Sequence, residues 1–188
     1  MPHIDSRSLA LVPHPDSLNE SIKGVEVQVS VPSQGLVHLR YVLRADMARI
    51  RVGPEVTAGQ ADELWRHTCF EAFVQPTGSR GYYEFNFAPT RQWAVYRFDS
   101  YRQGMTAMNL ANPPEITTSR EPDRLELGVT FPLPVSAAAG AASPVKLAFA
   151  AVIESGGGTL LHWAARHPQG KADFHHPDGF VFELQVSR

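Results

Sequence analysis

One cysteine, Cys69, stands among 188 residues, so no internal disulfide can form. A zinc site built from several thiolates is excluded for the same reason. Charge is sparse: Asp, Glu, Lys and Arg make up 19% of the chain, and the net charge is −2. No basic stripe is present, which excludes nucleic acid as an expected partner. No apolar stretch approaches the roughly 20 residues that span a bilayer, so no membrane partner is expected either. The opening residues, MPHIDSRSLALVPHPDS, carry a proline at position 2, an acid at 5 and no long apolar core. They do not read as a secretory signal. The expectation is a cytoplasmic protein with no signal peptide or transmembrane segment. Helical periodicity is scarce as well. Residues 58–65 read as a short helix, with Ala61, Leu64 and Trp65 on one side. The Ala-rich stretch 135–142 follows Pro132 and Pro134 and contains Gly140, so it reads as a loop with at most one helical turn.

What the chain has in quantity is strand alternation. Hydrophobic residues make up 43% of it, enough for a substantial core in one domain spanning residues 1–188. Val25, Val27, Val29 and Val31 alternate with Glu26, Gln28 and Ser30. Val37, Leu39, Tyr41 and Leu43 alternate with His38, Arg40 and Arg44. Both runs predict half-buried strands, and Pro32-Ser33-Gln34-Gly35 turns between them. Residues 47–52 are a weaker candidate. Residues 68–75, 81–87 and 92–99 form a compact trio, separated by turns at 76–80 and 88–91. Leu125, Leu127, Val129 and Phe131 alternate again, and 146–154 is apolar on both faces, as a central strand is. Gly156-Gly157-Gly158 turns into 159–164, and Phe180, Phe182, Leu184 and Val186 close the chain with a last alternation. About ten strands without long helices between them predict an all-β fold. The expected class is an antiparallel β-sandwich of jelly-roll or immunoglobulin-like type. Its core is expected to include Tyr83, Phe85, Phe87, Leu125, Leu127, Phe149, Phe180 and Phe182. Its exposed edges permit dimers, and the oligomeric state stays open.

Alternation also sorts polar side chains by face. Glu71 lies on one face of 68–75, Glu84 and Asn86 on one face of 81–87, and Arg97 on 92–99. If the three strands are neighbours, Glu71, Glu84, Asn86 and Arg97 share one partly aromatic outer face. Carboxylate, amide and guanidinium groups beside flat rings suit a polyhydroxylated ligand: rings cover sugar C–H faces, and polar groups bond hydroxyls. The plainer reading of the same residues is a solvated sheet face with a Glu–Arg cross-strand pair.

The order of DELWRHTCFEAFVQP, YYEFNFAPTRQWAVYRF, LLHWAARHP and DFHHPDGFVFEL resembles the DOMON-like superfamily, and within it the family 9 carbohydrate-binding modules. The resemblance covers roughly residues 25–186. It rests on Trp65, Glu71, Tyr83-Glu84-Phe85-Asn86 with Ala88-Pro89, Trp163, and His176-Pro177 with Phe180. It implies a non-catalytic β-sandwich that binds a small ligand, most readily a sugar. By that resemblance Trp65 and Trp163 form a clamp on a sugar ring, Glu71 accepts from hydroxyls, and Arg91 or Arg97 donates. No cofactor is expected. Other DOMON-like members hold haem b through axial side chains, so haem is the alternative, with His162, His167, Met105 and Met108 as its nearest ligands here.

A metal-dependent hydrolase is the remaining alternative. His162, His167, His175 and His176, with Asp173 and Asp178, supply metal-ligand types. The spacing matches no HExxH-like pattern, and adjacent His175 and His176 point oppositely on extended chain. A surface turn capped by one histidine is the simpler reading, and neither metal ligands nor catalytic residues are assigned. Cys69 shares a strand face with His67, but a buried structural thiol is the simpler reading there too.

Overall fold

A computed structural model describes residues 6–33, 35–54, 56–134 and 144–185. In chain order its strands are β1 (Arg7–Pro13), β2 (Ile22–Ser30), β3 (Leu36–Ala45), β4 (Ile50–Arg51), β5 (Gly59–Gln60), β6 (Cys69–Pro76) and β7 (Tyr82–Phe87). They continue with β8 (Gln92–Phe98), β9 (Thr106–Ala107), β10 (Glu115–Glu121), β11 (Arg124–Pro132), β12 (Val145–Ser155), β13 (Leu160–Ala164) and β14 (Phe182–Leu184). One sheet runs β10-β11-β3-β2-β1, and a second runs β1-β13-β12-β6-β7-β8-β5. Strand β1 belongs to both. Its residues Arg7 to Leu11 pair with β2, while Val12 and Pro13 pair with Ala164 and Trp163 of β13. The result is the all-β, sandwich-like fold that the alternation predicts. Among the described residues every strand pairing is antiparallel except the short β5–β8 ladder, which is parallel.

The first sheet buries one face and wets the other. Val25, Val27, Val29, Leu39, Tyr41, Leu43, Leu125, Leu127 and Phe131 fill the space between the sheets. Their outward neighbours form a charged ladder, in which Arg40 Nε and Nη2 both donate to Glu126 Oε2, at 3.0 and 2.6 Å. From the second sheet, Phe70, Ala72, Val74, Phe85, Phe87, Val95, Leu147, Phe149 and Trp163 complete that core. The Tyr41 hydroxyl crosses it and donates to the Glu71 carbonyl at 2.8 Å. A buried phenol needs such a partner.

The second sheet differs because its outer face is covered too. Cys69, Phe73, Tyr82, Ala94, Tyr96, Phe98, Ala148 and Ala150 form a second apolar cluster there, overlaid by Leu64, Trp65, Phe174 and Phe180. Among the described residues, no helix is long and apolar enough to cross a membrane.

Several local expectations are corrected. Residues 58–65 form no helix: Gly59–Gln60 pairs along β8, and Leu64–Arg66 is a single 3-10 turn. Too few apolar positions recur there to sustain helical turns, and Leu64 and Trp65 are used to cover the sheet instead. Residues 47–52 split into a 3-10 turn, Met47–Arg49, capped by Asp46, and the two-residue β4. The closing alternation is a strand only over Phe182–Leu184. The preceding turn Pro177–Gly179 ends on Phe180, which therefore packs on the outer face beside Phe73 and Tyr82 rather than in the core between the sheets. Tyr83 is only partly buried at the edge of that core. Val186 and residues 135–142 lie outside the described residues. Strands β1 and β10 were not expected. Strand β10 is an edge strand with almost every side chain in water, so it carries no alternation.

Phe85 is 0% exposed, and its ring lies 4.5 Å from that of Phe131. Phe85→Ala should cost about 3–5 kcal/mol in urea unfolding. A loss well under 1 kcal/mol would contradict this account of the core.

Candidate functional site

The register of the second sheet builds the floor of a pocket. Across its outer face one row reads Ala150, Glu71, Asn86 and Ala94, and the next reads Ala148, Phe73, Glu84 and Tyr96. Glu71 and Glu84 are therefore diagonal neighbours on one face. Alanines at three of the four row ends add little bulk above the sheet. The cover comes from three loops and one strand: Trp65 from the turn before β6, Arg102 and Met105 from the loop after β8, Ala172, Phe174 and His175 from the loop after β13, and Leu160 and His162 from β13. Together with Phe98 and Val152 they line a half-open cavity of about 460 Å³ whose polar floor is Glu71 and Glu84.

Both acids are dry. Glu71 is 3% exposed and Glu84 5%. Asn86, fully buried between them, accepts from the Cys69 thiol at 3.5 Å and donates Nδ2–H to Glu84 Oε1 at 2.8 Å. That chain fixes the Glu84 side chain. Among the described residues the Glu71 carboxyl receives no hydrogen bond, although it faces the cavity. Burial, and then the nearby Glu84 carboxylate, push the Glu71 carboxyl well above its ordinary range. Burial lifts Glu84 to about 7, against the Asn86 hydrogen bond and the Arg102 guanidinium, which pull it down.

The cation beside them is already engaged. Arg102 Nε and Nη2 donate to Asp173 Oδ1 at 3.1 and 2.6 Å, and the Tyr101 hydroxyl donates to Asp173 Oδ2. His175 is held neutral. The Tyr82 oxygen accepts the Arg102 backbone N–H at 3.2 Å, so its own proton goes to His175 Nδ1, 2.7 Å away. The remaining ring proton then sits on Nε2, which faces Glu84 Oε2 at 3.6 Å. Burial, and then Arg102, lower the His175 imidazole to about 4, so this contact is no ion pair at neutral pH. His162 is likewise lowered by burial and by His14. Trp65 stands over the site with its ring edge-on to Tyr96, centroids 5.5 Å apart.

Four of the sequence-derived residues, Trp65, Glu71, Glu84 and Asn86, thus lie at or under one cavity. The other three do not. Trp163 is 6% exposed and belongs to the core between the sheets, because it alternates with His162 and faces the side opposite to Trp65. The two-tryptophan clamp does not form. Arg97 pairs across from Tyr83, on the other face from Glu84, and binds Asp99 at 2.8 Å. Arg91 sits exposed in the turn before β8 with φ of 65°. The guanidinium at the cavity is that of Arg102, which no strand pattern marks. Phe98, Leu160 and Phe174 are further additions. His162 and Met105, considered for haem, line the same cavity. His167 instead has Nε2 on the Val12 carbonyl at 3.0 Å, and Met108 packs at the main core.

Haem does not fit these residues, because its apolar macrocycle would lie on two buried carboxyls left without compensation. Among the described residues, no group of three or more His, Cys, Asp or Glu side chains is placed to hold a metal ion. His176 caps the turn at Pro177–Gly179, accepting from the Asp178 N–H at 3.3 Å. Cys69 is fully buried, and burial, then Glu71, raise its thiol well above the ordinary value. His67 turns outward to Glu154, 2.8 Å away, so the two make no nucleophile pair.

No protein-family model matches the chain, and no curated protein matches it. Solved structures with the same fold include a protein of Bacteroides uniformis proposed to bind carbohydrate. It is 19% identical, with a TM-score of 0.66 over 94% of this chain and 84% of that one. They also include a family 9 carbohydrate-binding module from Caldicellulosiruptor kristjanssonii, in complex with glucose. It is 9% identical, with a TM-score of 0.57 over 98% of this chain and 84% of that one. At these identities the likeness is one of fold.

The raised Glu84 carboxyl has a stability consequence. It titrates at about 7 in the folded chain against an ordinary 4.5. Between those values the native state keeps a proton that the unfolded state has lost, so stability falls as pH rises through that window. His175, lowered from 6.5 to about 4, contributes in the opposite direction between its two values. Glu71, also raised, adds to the falling side. In Glu84→Gln the falling term of Glu84 is gone. Its unfolding free energy relative to wild type should rise by about 3 kcal/mol from pH 4.5 to pH 7 and level off above. Urea unfolding across that range would measure it, and a pH-independent difference would contradict the assignment.

Proposed function

We propose that the chain is a non-catalytic binding domain for a small carbohydrate, held in the cavity over Glu71 and Glu84. One observation carries the reading. A flat indole, Trp65, and two nearly dry carboxyls, one of them without a hydrogen-bond partner among the described residues, face the same cavity. Buried acceptors in a folded protein are normally satisfied. An acceptor left open in a cavity matches the hydroxyl donors of a sugar, while Trp65, Phe98 and Phe174 offer apolar surface to its C–H faces. The cavity of about 460 Å³ suits one or two sugar rings. His175 Nε2–H and the Arg102 guanidinium can donate to ligand oxygens. The fold shared with a glucose-bound family 9 module supports the reading. The arrangement relies on one tryptophan rather than the two that the sequence resemblance implies.

Isothermal titration calorimetry with glucose and short glucosides should show binding to the wild-type chain. Trp65→Ala should weaken that binding about tenfold, the scale of one lost aromatic contact. Trp163→Phe should lower stability and leave affinity unchanged, since Trp163 faces the other side of the sheet. Loss of affinity in Trp163→Phe with none in Trp65→Ala would overturn the placement of the site.

A further inference from the structure

The balance of charge in the cavity points to a narrower ligand class, and this step rests on the sugar-binding reading above. Two carboxyls line the cavity, at 3% and 5% exposure. The one cationic side chain among its lining residues is Arg102. Asp173 takes that charge, with the guanidinium 2.6 Å from its carboxylate. The two imidazoles, His162 and His175, are both lowered and uncharged at neutral pH. Two nearly buried acids thus line the pocket, and its described lining residues supply them with no free positive charge. A neutral hydroxyl donor would bond an oxygen of Glu71 but add nothing to offset the repulsion that keeps the two carboxyls from ionising together. An ammonium group supplies both donors and charge, and a partly buried ion pair is screened less than an exposed one.

We infer that the cavity selects a sugar bearing a free ammonium group, seated against Glu71 and Glu84, over the neutral sugar of the same ring. Glu71 is the primary contact, because its carboxyl is open to the cavity and receives no hydrogen bond from the described residues. Glu84 is already oriented by Asn86 and completes the anionic corner. Trp65 keeps its role against the ring face. An ammonium there also displaces the protons that the two raised carboxyls otherwise retain near neutral pH, so binding releases protons.

The test is calorimetry on the full chain at pH 7 with four probes: glucosamine, glucose, N-acetylglucosamine and cyclohexylamine. Glucosamine should bind about tenfold or more tightly than glucose or N-acetylglucosamine, the scale of one partly buried ion pair. Its heat should vary with the ionisation enthalpy of the buffer, reporting released protons. In Glu71→Gln the ratio of glucosamine to glucose affinity should collapse towards one. Glu84→Gln gives the same reading should the first variant fail to fold. Equal or tighter binding of glucose would overturn the ammonium preference and leave the sugar site standing. Cyclohexylamine binding as tightly as glucosamine would overturn the sugar reading, leaving bare amine recognition. No binding by any probe would overturn both.

Discussion

Strands β6, β7, β8 and β12 have to satisfy two packed layers at once, because neither face of their sheet meets bulk water. On one side Phe70, Phe85, Phe149 and their neighbours meet the first sheet. On the other, Phe73, Tyr82, Tyr96 and Phe98 lie under loops that bring in Leu64, Trp65, Phe174 and Phe180. Any polar residue on that outer face is dried by construction. Glu71, Glu84 and Asn86 sit there, and their raised or fixed states follow from the layer above them rather than from special local chemistry. Tyr41 ties the two layers together, since its hydroxyl bonds the carbonyl of the same Glu71 whose side chain faces the cavity.

The covering loops hold each other in turn. Asp173 receives Tyr101 and Arg102 from the loop after β8, and His175 receives Tyr82 from the sheet. These contacts fasten two loops, distant in sequence, over one edge of the cavity. The Asp173 carboxylate is pushed up by burial, but its bonds to Tyr101 and Arg102 outweigh this and keep it below the ordinary range. It stays ionised, and Arg102 stays paired. The acids on the floor are left to a ligand or to protons.

The sandwich was legible in the chain wherever one face of a strand is buried. Strands β2 and β11 alternate cleanly because their other side is half-exposed and polar. The edge strand β10 is polar on both sides and invisible to alternation. Phe180 was misplaced because the turn at Pro177–Gly179 breaks the period just before it. For the site, alternation within β6 and β7 placed Glu71, Glu84 and Asn86 on one face, and the register aligned them. The same alternation argued against two residues that had been grouped with them. Arg97 keeps step with Val95, and Trp163 with Leu161, both of which face the core between the sheets. Arg102 was beyond reach. Its place is set by Asp173, 71 residues later, and a loop carries no period to mark such a meeting.

The central claim is that the fold itself keeps two acids nearly dry, with no free cation among the described lining residues, at the floor of the pocket proposed to take the ligand. Carbon-13 NMR of the glutamate side-chain carboxyls, followed through pH in the free protein, tests this most directly. The Glu84 carboxyl should titrate at about 7 and that of Glu71 well above the ordinary 4.5. Both carboxyls ionising at or below 4.5 would show that the pocket is wet or already compensated, and would contradict the account.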